Sequence, residues 1–115
     1  MHELAITQSL LQIALDKARE SGAKNIRCIN LRIGRLTGYV PEAVEMNFGM
    51  LSPGTLAEGA KLLIQWVPVR ISCKDCGKGS ELGEFEMCCP NCGSTNVSIT
   101  GGREMFIESM EIEDA

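Results

Sequence analysis

Apolar residues recur at helical spacing over residues 4–21. Leu4, Leu11, Leu15 and Ala18 mark one stripe, and Ile6, Leu10 and Ile13 widen it, the pattern of a helix that buries one broad face. Gly22, after Ser21, supplies a left-handed terminator. From Ile26 to Ile33 the period drops to two, with Ile29, Leu31 and Ile33 on one face and Ile26 and Cys28 on the other, which predicts a strand. Gly34 through Gly38 breaks it. A second helix is predicted from Val40, with Pro41 at the first helical position and Glu42 and Glu45 where the positive helix end favours carboxylates. Val44, Phe48 and Leu51 form its stripe, and Ser52-Pro53-Gly54 ends it. Lys61 to Val69 reads as a second strand, with Pro68 marking an edge or a bulge.

The pattern then changes. From Ser72 to about Gly102 apolar density falls, glycine is frequent, and five of the six cysteines are found. Leu82, Phe85 and Met87 are the main apolar residues between the cysteine pairs. After Gly101-Gly102, Glu104 to Ile112 reads as strand again, with Phe106, Met110 and Ile112 on one face. So apolar a strand needs a sheet, and the predicted solution is a return to the first two strands. The fold class expected is α+β: a small mixed three-stranded sheet with two helices, plus an inserted four-cysteine, zinc-ribbon-like domain. The first two strands should be parallel, joined by a right-handed crossover. The domains are then residues 1–69 with 103–115, and an insert at 70–102.

Composition narrows the function. A net charge of −4 and a pI near 5.0 give no electrostatic footprint for nucleic acid or an anionic membrane. No apolar run approaches the ~18 residues of a membrane span, and Glu3 in the first turn argues against a signal peptide. The expected location is cytoplasmic, where cysteines stay reduced and a disulfide framework is not formed.

Cys73-Lys-Asp-Cys76-Gly and Cys89-Pro-Asn-Cys92-Gly are matching knuckles separated by twelve residues. Each C-x2-C lets two thiolates reach one tetrahedral ion, and the interval fits two short strands and a turn. The glycine after each pair permits a turn whose amides point at sulfur. A structural Zn(II) held by Cys73, Cys76, Cys89 and Cys92 is the expected site. With so little core, the insert should depend on it for folding. A redox pair would sit at a helix start after a strand, and neither pair does. A rubredoxin-like iron site uses similar knuckles, but aromatics make up only 4% of the chain. A catalytic zinc would keep an open position, which four thiolates close. Cys88 offers an alternative C-x3-C spacing to Cys92, although Pro90 and the symmetry of the knuckles favour Cys89. Cys28, mid-strand, reads as a small buried hydrophobe.

The amino terminus adds a second candidate. His2 is the sole histidine, and the terminal amine, the backbone nitrogen of residue 2 and the imidazole can close fused rings around a square-planar ion, the geometry of Ni(II) and Cu(II). The bulky residue at position 2 should block removal of Met1. Taken alone, a histidine there is more often a solvated or helix-entry residue.

Together these features resemble the HypA family of hydrogenase nickel-incorporation proteins. The residues that carry the resemblance are Met1-His2-Glu3-Leu4, Ile33-Gly34-Arg35-Leu36-Thr37-Gly38 with Val40-Pro41-Glu42-Ala43, Gly54-Thr55-Leu56-Ala57-Glu58-Gly59-Ala60, both knuckles, and Gly102-Arg103-Glu104 leading into Ser109-Met110-Glu111-Ile112-Glu113. They span nearly the whole chain in order. The resemblance implies a non-enzymatic metallochaperone that delivers Ni(II) during maturation of [NiFe] hydrogenase. It places nickel on Met1, His2 and Glu3 and zinc on the four knuckle cysteines. The implied partners are the GTPase HypB, the hydrogenase large-subunit precursor and, in some organisms, urease accessory proteins. Cys88 departs from the family pattern. A homodimer is compatible with the sequence.

The main competing reading is a nucleic-acid-binding zinc ribbon. Between Arg70 and Gly102 there are three basic residues (Arg70, Lys74, Lys78) against four acidic (Asp75, Glu81, Glu84, Glu86), and only Phe85 offers a ring to stack on a base. A structural zinc interaction module is the other alternative. Catalysis is disfavoured, because no Ser or Cys is set up with a positioned base and no P-loop is present.

Overall fold

The computed structural model describes residues 2–83 and 86–114. Two helices and six strands follow in the order α1 (Glu3–Glu20), β1 (Ala23–Gly34), α2 (Pro41–Leu51), β2 (Lys61–Val67), β3 (Val69–Cys73), β4 (Gly79–Leu82), β5 (Val97–Gly101) and β6 (Met105–Asp114), with one turn of 3-10 helix at Arg35–Thr37. They form two three-stranded sheets, ordered β2-β1-β6 and β4-β3-β5. The molecule measures 55 × 26 × 16 Å, and its radius of gyration of 17.5 Å exceeds the ~13 Å of a single compact body of this length. Each sheet therefore carries its own core.

The first core packs α1 and α2 against β1. Leu10, Leu11, Ala14, Leu15 and Ala18 meet Val44 and Phe48 of α2 and Ile26, Ile29, Leu31 and Ile33 of β1, with Ala57 closing one side. α1 ends where Gly22 takes φ 71 and donates its N–H to the Arg19 carbonyl. α2 begins at Pro41 and stops at the expected serine. β1 and β2 are parallel, in step from Cys28–Lys61 to Gly34–Val67. β6 pairs antiparallel with the other edge of β1. The α+β class and the return of the last strand hold.

The faces differ from the simple alternation. Ile26 shares the core with Ile29, because the β1–β6 register slips between Ile26 and Cys28 and the extra residue rephases the strand. A second slip, between Asn30 and Leu31, leaves Glu108 without an opposite residue. Met105 and Ile107 therefore face the core along with Met110 and Ile112, and Phe106 is turned out. On α1, Leu4 and Ile13 lie at the rims of the buried face and are about half exposed, while Glu3 and Thr7 are buried.

The predicted strand Lys61–Val69 is two strands in two sheets. Pro68 has no N–H to continue the ladder, so β2 ends at Val67 and β3 opens the second sheet at Val69. Its strands are all antiparallel to their neighbours, and among the described residues only β4 lies between the knuckles, where the spacing predicts two short strands, because β3 and β5 flank the cysteine pairs. Its core consists of Ile71, Cys73, Leu82 and Cys89. Met87 is exposed, and Phe85 lies outside the described residues.

The two sheets meet at a backbone crossing. Gly34 N–H donates to the Glu104 carbonyl (2.7 Å) and Leu36 N–H to the Gly102 carbonyl (2.7 Å). A Cβ on Gly34 would stand 2.1 Å from the Gly102 oxygen. Gly102 has φ 109, and both its N–H and that of Arg103 donate to Glu104 Oε1 (2.6 and 2.8 Å). The Gly102 amide, above all, holds the Glu104 carboxyl below the usual glutamate range.

Gly34→Ala should cost about 3 kcal/mol or more, since both sides of the clash are backbone. Gly49→Ala, in the open on α2, should stabilise by about 0.5–1 kcal/mol. Urea unfolding of both variants reads the contrast. Because the folded carboxyl of Glu104 is depressed, its stabilising effect is full above the unfolded glutamate range and is lost as pH falls through the folded value. Melting temperature against pH should therefore show a shallower acid limb in Glu104→Gln. An identical limb would remove Glu104 from the acid response.

Candidate metal centre

The second sheet brings the two knuckles together. Cys73 ends β3, and Cys76 follows in a turn closed by Gly77 N–H to the Cys73 carbonyl (2.9 Å). The second knuckle repeats it, with Gly93 N–H donating to the Cys89 carbonyl (2.8 Å). Gly77 and Gly93 both have φ 76, a left-handed conformation that a glycine adopts without strain. The twin glycines are thus a consequence of the twin turns.

The Sγ atoms of Cys73, Cys76, Cys89 and Cys92 all lie within 4.8 Å of one another. Cys73 Sγ is 3.5 Å from Cys92 Sγ, and Cys76 Sγ is 3.7 Å from Cys89 Sγ. A tetrahedral ion with metal–sulfur bonds near 2.3 Å requires sulfur–sulfur edges of about 3.8 Å. The donor set fits such an ion in number, type and spacing. Cys88 is exposed and outside the cluster; Cys28 is buried in β1. Cys89 is therefore the residue that joins the second knuckle.

Hydrogen bonds around the thiols divide the protons unequally. The Lys78 amide, with help from Asn91 and the neighbouring thiols, holds the Cys76 thiol well below its ordinary value. The Ser94 amide pulls Cys92 down, but the thiol of Cys73, burial and the other two thiols outweigh it and push Cys92 up. Metal uptake must expel these protons, so affinity falls as pH drops.

A clasp absent from the sequence reading ties the knuckles to each other. The Asp75 carboxylate accepts hydrogen bonds from the Ser94 hydroxyl and from Asn96 Nδ2 (3.3 Å), and Lys74 N–H donates to the Asn96 carbonyl (2.9 Å). The Ser94 bond is the main cause of the lowered Asp75 carboxyl. Only the three-dimensional pairing of β3 with β5 reveals these partners.

The amino-terminal candidates are elsewhere in the fold. His2 is exposed at the N-cap of α1, and its carbonyl accepts the Ile6 N–H (3.1 Å). Glu3 is buried, and its Oε2 accepts the Val40 N–H at the head of α2 (3.0 Å). Met1 lies outside the described residues. Among those described, no helix is long and apolar enough to cross a membrane.

The fold and the thiol cluster define a small α+β protein with a metal centre built into its second sheet. A family model described as hydrogenase/urease nickel incorporation, metallochaperone, hypA matches residues 1–112. The hydrogenase maturation factor HypA of Aquifex aeolicus is 45% identical over 113 residues, 98% of each chain. Its counterpart from Moorella thermoacetica is 47% identical over 113 residues, 98% of this chain and all of the relative. The solution structure of the Ni metallochaperone HypA from Helicobacter pylori superimposes with a TM-score of 0.68 at 26% identity, covering the whole of both chains. The chain belongs to the HypA family of hydrogenase maturation factors, which are nickel metallochaperones.

The geometry separates the two adjacent cysteines. Cys89→Ser should abolish the bound ion, whereas Cys88→Ser should retain one ion per chain by elemental analysis. Stripping the ion with a chelator should erase the amide dispersion of β3, β4 and β5 while that of β1, β2 and β6 persists, because the second core contains two of the four clustered cysteines.

Proposed function

We propose that this protein carries Ni(II) on Met1, His2 and Glu3 and surrenders it during maturation of [NiFe] hydrogenase, with structural Zn(II) on Cys73, Cys76, Cys89 and Cys92. The nickel-handling unit is residues 1–69 with 103–115, and the zinc unit is 70–102. Zinc, when bound, supplies on the order of 10–16 kcal/mol of apparent folding free energy in small zinc domains. The thiolates form a closed tetrahedral donor set with no position left for a reacting molecule, which supports a non-catalytic role.

The observation that carries the nickel reading is the placement of His2. It is the sole histidine, exposed, at the cap of a helix that starts at Glu3. The backbone nitrogens beside the imidazole stand ahead of the first rung of the helix ladder, Ile6 N–H to the His2 carbonyl, so they can be deprotonated and ligate without unwinding α1. Such a site exchanges its ion more readily than a closed cage, as a carrier requires. Affinity should fall with pH as those nitrogens regain their protons. The partners this reading calls for are the GTPase HypB, which would supply any nucleotide-driven step, and the large-subunit precursor. Urease accessory proteins are further candidates, a homodimer is compatible with it, and the expected location is the cytoplasm.

Nickel titration of tag-free protein with its native terminus tests the site. Stoichiometric binding should be lost in His2→Ala and in a variant with one residue added before Met1, with zinc retained in both. Undiminished binding in both variants would move the nickel to other residues.

A further inference from the structure

The turn between β1 and α2 is tied at both ends. At one end Leu36 N–H donates to the Gly102 carbonyl (2.7 Å), which anchors the turn to the strand leaving the cysteine sheet. At the other end Val40 N–H donates to Glu3 Oε2 (3.0 Å), which anchors it to the residue after His2. Between them stands Thr37. Its hydroxyl donates to the Gly34 carbonyl (2.8 Å) and accepts the Tyr39 N–H (3.2 Å), spanning the reversal at Gly38, where φ is 77. Glu3 is held from its other side too, since its carbonyl accepts the Thr7 hydroxyl (2.5 Å). Glu3 is thus fixed by a partly buried network that reaches a turn 37 residues away.

We propose that Thr37 is a positioning residue for the metal-binding terminus: by fixing the turn from Arg35 to Val40 it presents the Val40 amide to the Glu3 carboxylate, which holds the backbone of residues 2 and 3 ready for Ni(II). The inference rests on the reading that nickel binds at the terminus. A chelate built from successive backbone nitrogens gains when their torsions are fixed before the ion arrives. Releasing one residue from its well returns entropy that binding must remove again.

The test uses full-length, zinc-loaded protein with its native terminus. Thr37→Val removes both hydrogen bonds at nearly constant shape, and Thr37→Ser keeps them. Thr37→Val should weaken Ni(II) binding about tenfold, or ~1.4 kcal/mol, and speed loss of the ion to a competing chelator by a similar factor. Thr37→Ser should restore wild-type behaviour within about twofold. Zinc content should not change, and the nickel absorption bands should keep their positions, because the ligands are the same. A merely structural role would lower stability without moving affinity or release. Val40→Pro deletes the donor to Glu3 at an exposed residue, with its φ of −92 shifted toward the proline value, and must reproduce the weakening if Thr37→Val fails to fold. Wild-type affinity and release in a folded, zinc-loaded Thr37→Val or Val40→Pro protein would overturn the proposal while the nickel site stands. Unchanged binding in His2→Ala would remove the site, and the proposal with it.

Discussion

Two backbones pass each other so closely that a Cβ on Gly34 would run into the Gly102 carbonyl, and this crossing ties the two sheets together. Gly34 ends the central strand of one sheet, while Gly102 lies just beyond the last strand of the other. The hydrogen bonds from Gly34 to Glu104 and from Leu36 to Gly102 join the sheets through backbone groups. Glu104 then fixes the turn by accepting both amides that the crossing leaves free. The elongated shape follows, with two cores linked through a short stretch of locked backbone.

The two halves are stabilised by different physics. The helical half buries a broad layer of Leu, Ile, Val and Phe, each worth roughly 1.5–3 kcal/mol when fully removed from water. Among its described residues the other half buries two aliphatic side chains, Ile71 and Leu82, beside four thiols placed for one ion. Burial alone is too small there to offset the entropy of ordering three strands and two turns. Metal coordination has to supply the difference. The Asp75–Ser94–Asn96 clasp adds a link between the knuckles that does not depend on sulfur.

A carrier must hold its ion and then let it go, and the proposed sites would divide these demands between the two halves of the fold. The four thiols are gathered by paired turns, with Cys73 and Cys89 buried, a donor set suited to an ion that stays. The exposed histidine sits at a helix start, ahead of the first intrahelical amide bond, and solvent has access to it. The Glu3 carboxylate, buried against the head of α2, is positioned by the favourable field of that helix end as well as by the Val40 amide.

Much was legible in the chain itself. Periodicity located both helices and the strands of the first sheet, and the knuckle spacing named the four cysteines that the structure gathers, because helix faces and C-x2-C turns are fixed within a few residues. The phase of β1 and β6 was not legible: a single extra residue at each bulge moves Ile26 inward and Phe106 outward, and only the partner strand reveals it. Nor did Pro68 announce that its strand continues in another sheet. The bonds of Glu3 to Val40, Asp75 to Ser94 and Gly34 to Glu104 join residues far apart in sequence. Local chemistry in the sequence determined the elements and the metal-binding groups. The tertiary structure alone decided which backbones approach each other and which polar groups they share, since those pairings exist only once the chain has closed on itself.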